Sequence, residues 1–240
     1  MNSTPRARQS QAGLSMVEMS VGMLILGLIM ASLLASFTTA SRTSVTSDYR
    51  IQNLEEGRLL MENITKDLRT AAPPTQGVSP FFPDPAFPTT KVLATDRDVT
   101  FYADLGTTGA AKRVRLWLDS SKPKEPVLRE YVTPPNNQTD SPPQYTAANE
   151  RSRLVGRYII NTPVVNWPAD AANAVFQYED AAGTALGPLP LTPAQALLVR
   201  SITIRLKVRK STSLSVAATT LESRVRLPNV IYSLQAGSTT

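Results

Sequence analysis

Neither histidine nor cysteine occurs in the chain, and their absence removes most familiar catalytic chemistry at once. Histidine is the usual general base near neutral pH, and with cysteine it supplies most zinc ligands. Serine–histidine–aspartate and cysteine–histidine nucleophiles are therefore excluded. Ser121-Lys122-Pro123-Lys124 has the spacing of serine–lysine acyl enzymes. Pro123 opposes the helical turn that would carry Lys124 over Ser121, and neither companion motif is present, so a chance match is the plainer reading. Asp96 with Asp98, and Glu179 with Asp180, fall short of the roughly six to eight oxygens that calcium takes. No glycine-rich phosphate loop occurs. No catalytic residue, cofactor or metal site is expected, and the chain reads as a non-enzyme.

Two other groupings of charge deserve a chemical reading. Arg200, Arg205, Lys207, Arg209 and Lys210 form a basic run with no acid between them. Arg205, Lys207 and Arg209 are candidate contacts to nucleic-acid phosphates. The plainer alternative is the wet face of an amphipathic strand, and no aromatic residue interleaves the run for base stacking. The second grouping is a single acid. Glu18 stands just before a 23-residue stretch, Met19 to Ser41, without a charge. A carboxylate carried to a bilayer centre costs about 2.5–3.5 kcal/mol and less near the interface, so such residues are usually functional.

The stretch itself must span a membrane. At about 1.5 Å per residue it reaches about 35 Å as a helix, against a hydrocarbon core of about 30 Å. Arg6 and Arg8 precede it, which places the N-terminus in the cytoplasm and the remainder outside. A secretory signal would have a shorter apolar stretch followed by its small cleavage residue. Here Gly13 comes first. A plain anchor explains the length but not Glu18.

Gly13-Leu14-Ser15-Met16-Val17-Glu18 resembles the cleavage and methylation motif of type IV prepilins and type II secretion pseudopilins. That motif has a glycine before the cut, an apolar residue after it, and a glutamate four positions on. The resemblance implies that a prepilin peptidase removes residues 1–13 and N-methylates Leu14. Loss of Arg6 and Arg8 would lower the formal charge from +6 to +4. Leu14 and Glu18 share a helix face, so the new ammonium and the carboxylate are neighbours within one subunit or across two, and an unpaired charge penalises wrong registers. Leu14 replaces the family's more usual phenylalanine, which leans away from a major structural pilin.

Beyond the membrane, Leu54, Gly57, Met61, Ile64, Leu68 and Ala71 recur at helical spacing. Residues 14–72 are expected as one helix, transmembrane over 14–41 and amphipathic over 42–72, with Gly22 and Gly27 allowing a bend or close neighbours. Pro73-Pro74 ends it. The prolines of residues 73–90 and a second loop, Thr133 to Glu150, separate strand-like stretches at Val99–Tyr102, Arg113–Leu118, Val127–Val132, Leu154–Ile160 and Val175–Tyr178. Pro193 to Leu198 reads as a short helix. Ser201 to Arg209 alternates strictly and is the clearest strand, with a partner in Thr219 to Tyr232. The fold class is α+β: a long N-terminal helix laid on a mainly antiparallel head, residues 73–240.

Residues 55–71, Phe176 to Gly183, and Leu221 to Asn229 are similar to the PilW-type minor pilins and the J-type pseudopilins. That resemblance implies an initiating or tip-proximal subunit of a type IV pilus, or alternatively a type II secretion pseudopilin. A tip-located adhesin or DNA-binding pilin is a further alternative. Implied partners are the prepilin peptidase, other major and minor pilins through the N-terminal helix, and the inner-membrane assembly platform, with DNA or a surface ligand for the tip reading. The implied location is the inner membrane, with the head periplasmic, and then the filament at the cell surface.

Overall fold

The computed structural model describes residues 15–72, 94–105, 111–137, 143–210 and 216–227. Gly13, Leu14, the proline-rich stretch 73–90 and the end of the last expected strand, 228–232, lie outside them. Helix α1 (Met16–Arg69) comes first. Among the described residues it is followed by β1 (Asp98–Ala103), β2 (Lys112–Asp119), β3 (Val127–Thr133), β4 (Arg151–Arg157), β5 (Phe176–Glu179), α2 (Pro193–Leu198), β6 (Ser201–Val208) and β7 (Thr219–Arg226). The chain divides into two compact units between Asp48 and Tyr49, inside α1.

No proline interrupts α1, which permits 54 residues of continuous helix. In the N-terminal unit every described residue from Ser15 to Val45 is exposed, including Leu28 at 64% and Phe37 at 72%. This helix is long and apolar enough to cross a membrane. Its hydroxyls suit oily surroundings. Ser20, Thr38, Thr39 and Thr43 each donate a 2.9 Å bond to a carbonyl three or four residues earlier, which satisfies those four side-chain O–H groups within the helix.

In the second unit the same helix has a buried side, and it packs against two antiparallel sheets. One is a four-stranded meander, β1-β2-β3-β4, and the other is three-stranded, β5-β6-β7. They meet where the chain leaves β4: Ile160 N–H donates to Lys207 O at 2.8 Å and Arg209 N–H to Tyr158 O at 3.0 Å. Leu60, Ile64 and Leu68 of α1 join Phe101, Leu116, Leu128, Tyr178, Ile202 and Ile204 in one core. Each large aliphatic chain so buried contributes about 1.5–3 kcal/mol. Leu60 also explains a glycine, because a β-carbon at Gly156 of β4 would overlap its side chain.

Three sequence expectations shift. The helix stops at Arg69 rather than residue 72, because Ala71 leaves it to bridge Ala103. The buried stripe is Asn53, Gly57, Leu60, Ile64, Asp67 and Leu68, whereas Leu54 is 37% exposed. Strand β4 runs Arg151–Arg157 rather than Leu154–Ile160, with Tyr158 at φ 62° just past its end. Apolar alternation misplaced it because the first half of the strand has no buried side chain. Leu154 is 41% exposed, and Arg153, 58% exposed, reaches from the surface to the buried acids Asp67 and Glu130.

Candidate assembly site and charged sheet faces

Glu18 lies in the first turn of α1, and Ser15 caps that turn. The Ser15 hydroxyl accepts from Val17 N–H at 3.2 Å, and the Glu18 carboxylate accepts from Ser15 N–H at 2.9 Å. This is a reciprocal cap, and its Ser-x-x-Glu signature is visible in the sequence. The carboxylate therefore sits at the helix N-terminus, where backbone N–H groups and the helix dipole favour negative charge. Gly13 and Leu14 fall outside the described residues.

The basic run does not form one stripe. Arg205 on β6 meets Glu222 on β7 at 2.9 Å, and the Lys207 ammonium donates to Asn173 Oδ1 at 2.9 Å. Arg200 donates from Nη1 to the carbonyls of Leu197 and Val199 at 2.8 and 2.9 Å. Arg209, past the end of β6, is half-buried, and Lys210 is exposed. A buried asparagine organises the region. Asn161 Nδ2 donates to Asn173 O and Arg205 O, each at 3.0 Å, and its Oδ1 accepts from Lys207 N–H at 2.9 Å.

The paired acids are engaged by the protein itself. Asp98 takes both Nε and Nη2 of Arg115, the latter at 2.5 Å, and Asp96 accepts from Val164 N–H at 2.9 Å. Glu179 accepts from Ser201 and Thr203 hydroxyls at 2.9 and 2.8 Å, while Asp180 Oδ1 accepts from Ala182 and Thr184 N–H. Among the described residues no group of three or more acids is placed to hold a metal ion. Ser121 lies in the exposed β2–β3 connection, where its N–H donates to Asp119 Oδ1 at 2.9 Å. That bond and the Ser121 hydroxyl hold the Asp119 carboxyl below its usual range.

One charged cluster escaped the sequence reading. Asp67 of α1 is 6% exposed and Glu130 of β3 is 2% exposed. Arg153 of β4 bonds both, touching Asp67 at 3.5 Å and lying closer to Glu130. Burial, and then the charge of Glu130, push the Asp67 carboxyl up to about 6 against the opposing pull of Arg153 and Lys66. Asp67 lies on the helical stripe, and the only signal for it was an acid beside apolar positions.

Fold and site together define a class: an α+β protein whose long apolar N-terminal helix carries a capped carboxylate near its start. Comparison with protein-family models and with curated proteins finds no match.

Proposed function

We propose that the chain is a non-enzymatic structural subunit of a type IV pilus, a minor pilin at the initiating or tip-proximal end. One observation carries the reading: α1 is fully exposed and apolar from Met19 to Ser41, yet begins with a carboxylate. Apolar side chains in such number need lipid or neighbouring helices around them. A bilayer before assembly and a bundle of like helices after it meet that need in turn. Glu18 then supplies register. Its capping bond to Ser15 N–H holds the carboxylate at the start of the helix, and in this reading it pairs with the amine of a processed chain, its own or an adjacent subunit's, during packing. In this reading a prepilin peptidase cuts after Gly13 and methylates Leu14, and the head is periplasmic until extraction.

The type II secretion alternative uses the same helix and the same acid. The DNA-binding alternative is less well supported, because Arg205 has an acidic partner and Lys207 a side-chain acceptor within the fold. The test is mass spectrometry of the N-terminus of the purified chain. A mature start at Leu14 carrying one added methyl is expected. A start at Met1, or loss of the whole apolar stretch, overturns the proposal.

A further inference from the structure

The outer face of β5-β6-β7 sorts its charges by rows. Antiparallel register sets Glu179, Ser201 and Arg226 side by side, then Thr203 with Arg224, then Arg205 with Glu222. Two cations there are matched internally, Arg205 by Glu222 and Arg224 by Glu179, the latter at 2.5 Å. Positive charge is left over at the end of the sheet where β6 begins. There Arg200, Arg224 and Arg226, with Ser201 and the turn 180–183, line an open cavity of about 660 Å³.

Two of the three guanidinium groups, those of Arg200 and Arg224, are held before any ligand arrives. Arg200 is fixed by the two carbonyls that close α2. Arg224 donates from Nε and Nη2 to Ser201 Oγ at 3.3 and 3.2 Å. Gly183, at φ 83°, allows Arg224 to approach, since a β-carbon there would lie 3.1 Å from Nη2. Asp180 does not reach across, because its Oδ1 is engaged by its own turn. Arg226 is exposed and, among the described residues, has no acid within bonding reach. Three arginines against Glu179 and Asp180 leave one positive charge unmatched. An arginine offers five N–H donors in a planar fork that fits carboxylate and phosphate oxygens, and the bonds above leave several unused.

We propose that this cavity is an oxyanion site, taking a ligand that presents a carboxylate or phosphate group. The proposal stands independently of the pilin reading. The experiment is isothermal titration of the full chain in non-ionic detergent micelles, with citrate and separately with inorganic phosphate, at fixed ionic strength. At least one probe is expected to bind. A preference for citrate identifies carboxylate as the ligand chemistry, and a preference for phosphate identifies the other. The double variant Arg200→Ala with Arg226→Ala is expected to weaken binding by about tenfold or more. Arg205→Ala with Lys207→Ala, on the same face, is expected to leave it unchanged. Should the first double variant unfold, Arg226→Gln alters only an exposed side chain on an edge strand and is expected to weaken binding about threefold. Failure of both probes at millimolar concentration overturns the site. So does equal binding by the folded variants, which would mark an adventitious ion only.

Discussion

Glu18 and Asp67 are carboxylates in the first and last turns of one helix, and the helix treats them oppositely. Its N-terminus favours an acid and its C-terminus disfavours one. Glu18 is exposed and accepts a bond from its own first turn. Asp67 is buried, badly placed for the dipole, and set beside a second buried acid. The well-placed acid is satisfied locally and remains free to meet a cation from elsewhere. The badly placed one persists because Arg153 reaches it, and it belongs to the fold. Apolar residues divide along the same line: Leu28 faces outward and Leu60 is sealed in the core.

The sharpest way to break this division is to truncate both leucines. Leu60→Ala is expected to lower head stability by about 2–5 kcal/mol, transfer and cavity costs together. Leu28→Ala is expected to change it by less than about 0.5 kcal/mol. Denaturant unfolding of the full chain in micelles, followed by a head signal such as near-UV dichroism, checks both. A comparable loss in the Leu28 variant would show that head stability depends on the exposed part of α1.

Asp67 gives the next effect, with a sign that depends on pH. Its carboxyl titrates at about 6 in the folded state against 3.8 for an unperturbed group. The folded protein therefore binds this proton more tightly than the unfolded chain does. Above about pH 6 the ionised form costs stability in full; the cost shrinks as pH falls toward 3.8 and is absent below it. Asp67→Asn is expected to stabilise the head by about 1–3 kcal/mol near neutral pH, with the gain vanishing in acid. A variant less stable than the parent at neutral pH would show that the Arg153 contact outweighs burial.

Glu18→Gln sharpens the other half of the comparison. Glutamine can keep the capping bond to Ser15 N–H while removing the charge. Head stability is expected to stay within about 0.5 kcal/mol; under the proposed pilin function, recovery of the chain in sheared filaments is expected to fall about tenfold. Immunoblotting of sheared fractions against whole-cell levels reads the difference. Equal recovery would break the charge-pairing account while leaving untouched the reading of α1 as a helix long and apolar enough to cross a membrane.

What could be read beforehand follows from the range of the interactions. Strands β1, β2, β3 and β6 announce themselves because alternation is local, and α2 because Pro193 follows its cap, Thr192, whose hydroxyl and Gln195 bond reciprocally. The Ser15–Glu18 cap was equally local. Asn161 carried no signal, since its three bonds reach the backbone of β6 at Arg205 and Lys207 and the short turn at Asn173, all distant in sequence. The arginine cavity was hidden for a related reason. Arg200 belongs to the basic run, but its companions Arg224 and Arg226 arrive through the β6–β7 register rather than sequence adjacency. Strand β4 was misplaced because its first four residues, Arg151 to Leu154, are all exposed and are held by pairing to β3 rather than by an apolar face.

The smallest expected effect lies on the β6–β7 face, where Arg205 and Glu222 are paired. Their side chains are 19% and 52% exposed, so solvent screens the pair heavily. A double-mutant cycle with Arg205→Ala and Glu222→Ala is expected to return a coupling of about 0.2–1 kcal/mol, diminishing as salt shortens the screening length. That modest value still decides something. A measurable coupling means that a nucleic-acid phosphate must first displace Glu222, so Arg205→Ala with Lys207→Ala should barely change DNA affinity of the full chain in micelles. A coupling of zero, together with salt-dependent DNA binding lost in that double variant, would instead make this face a nucleic-acid surface.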